Sequence, residues 1–355
     1  MDKATRLSRA FDLELPDRPP ILGGWLAAPE HVQALTGCSD EAYWADSFRW
    51  GLEAERILGS DGVIDVFQPV VRGGYRIVDH TLIERRASYT VESVLAEIEA
   101  LPDPDELAAR FDEEQRYAEL VADLQARQAQ CGDMLWCPAD WELVPRALCY
   151  HEFGYDSSLM ALALYPDRYR KWIQVNATKS RQRAVLCARA IREGIHPGVI
   201  LTGEDACGQT GPLVSPDYLR REQFPLIEYA WEPLLEVGAK IVIHCDGDCR
   251  ALVGDFLALG ASGLQGFQQE CGMDLAWIAD KHTRHGAPLI IFGPMSVTTT
   301  LRGKPEDVRA DVYRAMQICR GKASLVFFTS NTILPDVPLE NIKIFWQTVL
   351  ESSWD

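Results

Sequence analysis

An imidazole and a carboxylate two residues apart, His244 and Asp246, close the apolar run Lys240-Ile-Val-Ile-His244 and are followed by Cys245, Gly247, Asp248 and Cys249 around them. Side chains alternate faces along a strand, so an extended chain through Asp246 presents His244 and Asp246 together and turns Cys245 away. Gly247 then permits a sharp turn. Such a pair suits metal ligation, proton transfer or recognition of a polar ligand. The same two groups also serve structure, with His244 bonding a neighbouring loop and Asp246 capping the next helix.

These residues need a frame that gathers strand ends. The chain offers eight short apolar runs separated by helical stretches: Ile21–Trp25, Gly62–Phe67, Met134–Pro138, Val199–Thr202, the run ending at His244, Gly263–Phe267, Pro288–Phe292 and Ser324–Phe328. Helical patterning covers residues 40–58, 91–131 with a break at Pro102-Asp-Pro-Asp105, and 156–192 with a break at Tyr165-Pro166. It continues over 215–238, 273–285, from Pro305, and from Pro338 onward. Eight strands alternating with helices predict a (β/α)8 barrel spanning 1–355 as one domain, with a polar and apolar alternation near 72–90 forming an inserted β-hairpin. In a barrel the carboxyl ends of the strands face one pocket. The polar residues just past them are Trp25, Gln68, Asp140, Glu204 with Asp205, His244 with Asp246, Gln269 with Glu270, Met295 with Ser296, and Ser330 with Asn331. Tyr75, His80 and Arg85-Arg86 would overhang that pocket from the hairpin.

Two chemistries follow from this acid-rich set. One is a divalent metal, held by His244, Asp246 and one of Glu204, Asp205 or Glu270 as a mixed nitrogen and oxygen site. The other is acid–base catalysis without metal, in which crowded carboxylates raise the pKa of at least one of their number. Glu204 and Asp205 have a structural alternative as helix caps or as acceptors for loop amides. The stretch Gly203-Glu-Asp-Ala-Cys-Gly-Gln209-Thr-Gly lacks the Lys-Ser/Thr of a phosphate loop, which argues against a nucleotide. Gln209 within it is a candidate substrate contact.

Composition narrows the partners. A formal charge of −17 over 355 residues argues against nucleic acid or an anionic membrane as partner. No apolar segment reaches the 18 or so residues that span a bilayer, and the charged N-terminus has no signal-like core, so the sequence reads as cytoplasmic. Ten cysteines without regular spacing, Cys187 and Cys319 among them in helical stretches, read as reduced core thiols.

Four stretches carry a resemblance: Gly203-Glu-Asp-Ala-Cys-Gly-Gln-Thr-Gly-Pro-Leu-Val-Ser-Pro-Asp217, Ile243-His-Cys-Asp-Gly-Asp248, Gly293-Pro294 with Leu301-Arg-Gly-Lys-Pro-Glu-Asp-Val308, and Leu334-Pro-Asp-Val-Pro-Leu-Glu-Asn341. Together, and from Asp17-Arg-Pro-Pro20 onward, the chain resembles the uroporphyrinogen decarboxylase family. That resemblance implies a barrel, and an activity among tetrapyrrole decarboxylation and methyl transfer involving corrinoid proteins. The decarboxylase branch grips its substrate with N-terminal arginines and an aspartate after the second strand. Here Leu22-Gly-Gly-Trp-Leu-Ala-Ala28 has no arginine, and Pro69 stands where the aspartate is expected. The thiol methyltransferase branch binds zinc through His-x-Cys after the fifth strand and a cysteine after the eighth. His244 matches; Asp246 and Asn331 stand at the cysteine positions. The expectation is therefore a corrinoid-linked methyltransferase, closer to those members than to the decarboxylase. It would use His244, Asp246, Asp205 and Glu204 in catalysis, and zinc or another divalent ion held by His244, Asp246 and Glu270. Trp25, Gln68, Asp140, Gln209, Met295 and Asn331 would contact substrate, and a corrinoid protein would be the partner. The rivals are a carboxy-lyase acting on a smaller carboxylated molecule and a ligand-binding protein without turnover.

Overall fold

A computed structural model describes residues 1–68, 75–78, 81–84 and 89–354, with the two hairpin segments described as backbone only. The strands are β1 (Leu22–Gly23), β2 (Gly62–Val63), β3 (Tyr75–Val78), β4 (Thr81–Glu84), β5 (Leu135–Trp136), β6 (Val199–Gly203), β7 (Cys207–Gly208), β8 (Gly211–Pro212), β9 (Lys240–His244), β10 (Gly263–Gln265), β11 (Ile290–Phe292) and β12 (Ser324–Val326). Two parallel sheets run β1-β2-β5 and β6-β9-β10-β11-β12. Parallel bridges Ala139–Leu201 and Ile21–Phe327 join them at both edges. The amide of Asp140 donates to Leu201 O at 2.8 Å and that of Leu22 donates to Phe327 O at 2.9 Å. The eight parallel strands thus form one ring, the predicted (β/α)8 barrel. Strands β3 and β4 pair antiparallel as the expected hairpin. The side chains of Tyr75, His80, Arg85 and Arg86 lie outside the described residues.

Alternation along β9 decides what faces inward. Val242 joins Leu22, Ile64, Cys137, Val199, Leu201, Ile290, Phe292, Val326 and Phe328 in the barrel interior, whereas Ile241, Ile243 and Cys245 pack outward against the surrounding helices. His244 is the next inward position above Val242, so it lies at the upper limit of the interior. The opposite end is stoppered by helix Lys3–Phe11, whose Leu7, Ala10 and Phe11 are part of the same interior cluster. Phe11 meets Phe292 at 6.0 Å between ring centroids. Burying each such side chain contributes roughly 1.5–3 kcal/mol.

Two helical expectations change in detail. The stretch 215–238 is two helices, Pro216–Glu222 and Phe224–Glu236, parted at Gln223. Pro225 has no N–H to continue a helix from the residues before it, and the Gln223 side chain turns inward to a buried partner described below. Of 273–285 only Leu275–Ala279 is helical. Past it the chain folds back, with His282 bridging Pro288. All ten cysteines are free thiols, eight of them buried. Among the described residues no helix is long and apolar enough to cross a membrane.

Candidate active site

Strands β6 and β9 run side by side in register, Gly203 opposite His244. A Cβ on Gly203 would lie 2.0 Å from His244 O, so glycine alone lets the two strand ends approach this closely. That approach sets Asp205, just past β6, beside His244. His244 Nε2 lies 3.1 Å from Asp205 Oδ1 and 3.8 Å from Asp246 Oδ1. Asp205 Oδ1 also accepts from the Asp246 amide at 3.0 Å. Gly247, at φ +76°, turns the chain away directly afterwards, where a Cβ would meet Gly208 O at 2.3 Å.

The other imidazole nitrogen is committed inward. Gln265 at the end of β10 donates through Nε2 to Thr329 O at 2.9 Å and Ser330 O at 3.2 Å. These two carbonyls orient the amide so that its oxygen faces His244 Nδ1, with which it forms a short hydrogen bond. Nδ1 therefore carries a proton, and Nε2 is the nitrogen turned toward the carboxylates. Asp246 Oδ2 accepts from Asn331 Nδ2 at 2.5 Å, and Asn331 is oriented in turn by the Thr332 amide, which donates to its Oδ1 at 2.6 Å. Asp246 Oδ1 is buried without a hydrogen-bond partner. Burial works against a cationic imidazole, but Asp205 and Asp246 outweigh it and hold the His244 pKa well above its ordinary value. Asp205 is pulled down by that imidazole despite its burial. Asp246 is pushed up, by burial first and by the charge of Asp205.

The cluster forms the floor of a pocket of about 450 Å³ whose walls include Trp25, Asp65, Phe67, Trp141, Arg146 and His151. Trp25 and Trp141 stand edge-on to His244, at 5.9 and 5.5 Å between ring centroids. Trp25 is set by the turn before it. Buried Glu55 accepts from the Gly24 amide at 2.7 Å and lies where any Cβ on Gly23 would fall.

The expected residues divide into those that converge and those that do not. Trp25, Glu204, Asp205, His244, Asp246 and Asn331 all line the pocket. Glu204 does so with its carboxylate already engaged. It accepts from Ala147 N at 3.0 Å, Leu148 N at 2.6 Å and Gln223 Nε2 at 2.6 Å. It binds loop amides and Gln223, the structural alternative. Glu270 is exposed and bonded to Thr298, apart from the cluster, and the third residue whose donor atom converges with those of His244 and Asp246 is Asp205. Asp140 forms an ion pair with Arg183 at 2.6 Å, away from the pocket lining. Met295 is buried in the barrel wall, while Gln209 on the β7–β8 turn and Gln68 are exposed; none of the three lines the pocket. The helix start after β9 is met by Asp248, which accepts from Arg250 N, and not by Asp246.

Sequence reasoning missed Asp65, Phe67, Trp141, Arg146, His151 and Thr332. Asp65 was hidden inside a strand expectation running to Phe67; β2 ends at Val63, which puts Asp65 past the strand end.

The sequence profile of uroporphyrinogen decarboxylase (URO-D) matches residues 154–352, more than half of the chain. The chain belongs to the uroporphyrinogen decarboxylase family. The fold comparison agrees: a methyltransferase from Methanosarcina mazei superposes with a TM-score of 0.62 at 18% identity, covering 99% of each chain. No curated protein matches in sequence. Within the family, the positions that resemble the zinc cysteines of thiol methyltransferases, Asp246 and Asn331, are in direct contact here.

Proposed function

We propose that this family member is a cytoplasmic methyltransferase that moves a methyl group to or from a corrinoid carried by a partner protein. Asp205, His244 and Asp246 would be its reacting groups. The observation that carries this reading is the convergence of three donor atoms, all within 4.8 Å of one another, on the floor of a pocket walled by two indoles. The methyltransferase fold neighbour supports it at the level of architecture. Tetrapyrrole decarboxylation is disfavoured because a substrate bearing many carboxylates would meet Asp65, Glu204, Asp205 and Asp246, with Arg146 the one arginine among the described lining residues.

Methyl transfer is displacement at carbon, and the protein's task is the proton on the heteroatom that gains or loses the methyl group. Carboxylates on either side favour the protonated form of His244, with Nδ1 held by Gln265 and Nε2 facing the cluster. That arrangement suits donation from Nε2 to a heteroatom losing its methyl group, with Asp205 balancing the imidazolium. The same residues fit a divalent ion. Gln265 fixes the tautomer that leaves Nε2 for a metal, Asp205 supplies a second donor, and the unpartnered Asp246 Oδ1 supplies a third. An ion bound by this harder donor set would supply Lewis acidity and not a zinc thiolate.

The test joins elemental analysis with spectroscopy. Purified protein is assayed for bound metal, then mixed with reduced cobalamin and methylated amines, aryl ethers, thioethers and methyl-folate in turn. Formation of methylcobalamin with one of these, lost in His244→Ala, is the expected result. If reduced and methylated cobalamin are both unchanged by every donor and acceptor class, the reading is overturned. A second reading, decarboxylation of a small carboxylated molecule, draws on the same poised imidazole as proton donor to a carbanion. Release of carbon dioxide without methyl transfer would identify it.

A further inference from the structure

Arg146 stands in the pocket wall, and the chain gives it unusual backbone support. The residue before it is held through Pro145 O, which accepts from Gln223 Nε2 at 2.9 Å. The two residues after it are held through the amides of Ala147 and Leu148, which donate to Glu204. Gln223 and Glu204 bond each other, so one buried polar pair grips the loop on both sides of Arg146. Glu204 lies 57 residues from Ala147 and Gln223 lies 78 residues from Pro145, so these are contacts the barrel makes deliberately across its strands. A fully buried carboxylate is costly in a fold. Here its three hydrogen bonds all serve the placement of this loop or of its partner Gln223.

The guanidinium itself is only partly used. Arg146 Nη2 donates to Glu152 Oε1 at 2.7 Å. Its Nε and Nη1 have no partner among the described residues, and the side chain remains 28% exposed. Arginine presents five N–H donors in a plane matched to carboxylates. Among the described lining residues Arg146 is the one arginine, in a pocket that also holds Asp65, Glu204, Asp205 and Asp246, a charge balance suited to a ligand with one anionic group.

We infer that the ligand of this pocket is a small monoanion whose carboxylate binds Arg146 while its other end lies over His244, and that Glu204 and Gln223 are the residues positioning Arg146. This rests on the same pocket as the proposed methyl transfer but holds for any reaction carried out there. The indoles of Trp25 and Trp141 favour an apolar or aromatic body between the two ends.

The test measures binding alone, by calorimetry, with benzoate and its uncharged isostere benzamide as probes. Benzoate binds the wild-type protein at least tenfold more tightly than benzamide. Arg146→Gln abolishes that preference, while Arg146→Lys restores part of it. Glu152→Gln breaks the ion pair without removing the guanidinium, and it keeps the preference. Gln223→Leu weakens the preference while benzamide binding stays as it was, which a general loss of stability would not produce. Equal binding of the two probes, no benzoate binding at millimolar concentration, or a preference that survives Arg146→Gln overturns the inference. Because no methyl donor is present, failure of methyl transfer leaves these outcomes readable, and the converse also holds.

Discussion

Glu204 and Asp205 are neighbours at the end of one strand, Glu204 buried and Asp205 half-buried at the pocket, and they do opposite work. Glu204 has each oxygen occupied by N–H donors and faces no cation at hydrogen-bond distance. Burial pushes its pKa up to about 7. Asp205 faces the His244 imidazole, and its pKa is pulled down by that neighbour. One carboxylate secures a loop; the other belongs to an arrangement with an acceptor, Asp246 Oδ1, left over. A shifted pKa is common to both, so the shift by itself does not mark a reactive group. What separates them is unspent hydrogen-bonding capacity facing the pocket.

The contrast can be broken most forcefully through Glu204. Glu204→Ala strands two amides and a glutamine donor in the interior, and should cost about 3 kcal/mol in urea unfolding. Asp205→Asn should cost less stability than that; a larger loss would reverse the comparison. Activity tests the pocket cluster around Asp205. His244→Ala and Asp246→Asn are expected to lower methyl transfer by roughly 100-fold or more, and any bound metal should fall to background in elemental analysis of His244→Ala.

The pH dependence of folding sharpens the distinction further. A carboxyl raised to about 7 in the folded protein, against an ordinary value of about 4.3, binds its proton more tightly when folded. Its contribution is fully present below the unfolded pKa and is lost as pH rises through 7. From about pH 5 to pH 7 this single group should lower stability by roughly 2 kcal/mol. Glu204→Gln should flatten that part of the profile in urea melts at the two pH values. Glu55, likewise raised to about 7 by burial, would keep its own share of the slope. The smallest effect is expected at Gln209, exposed on its turn, where Gln209→Ala should change stability by less than about 0.5 kcal/mol and leave metal content unaltered.

The barrel was legible because eight apolar runs recur at regular intervals, and His244 with Asp246 because a period of two needs only local backbone. Asn331 followed from its place beyond the last strand. What stayed hidden depends on partners far along the chain. Asp140 is drawn to Arg183, 43 residues away, and Glu270 to Thr298. Trp141, Arg146 and His151 lie on an excursion whose course is set by Glu204, and no periodicity announces such a loop. Asp65 was lost to an overlong strand, since apolar residues on both sides of it mimic a continuing run.

The helix that fills the lower end of the barrel also governs traffic. With that end filled by Leu7, Ala10 and Phe11, the barrel leaves its pocket to be approached from the carboxyl ends of the strands. In the proposed methyl transfer, donor and acceptor would both approach from that side. Two small reactants would then compete for entry and inhibit each other at high concentration, whereas a bulky carrier could dock over a small molecule already seated inside.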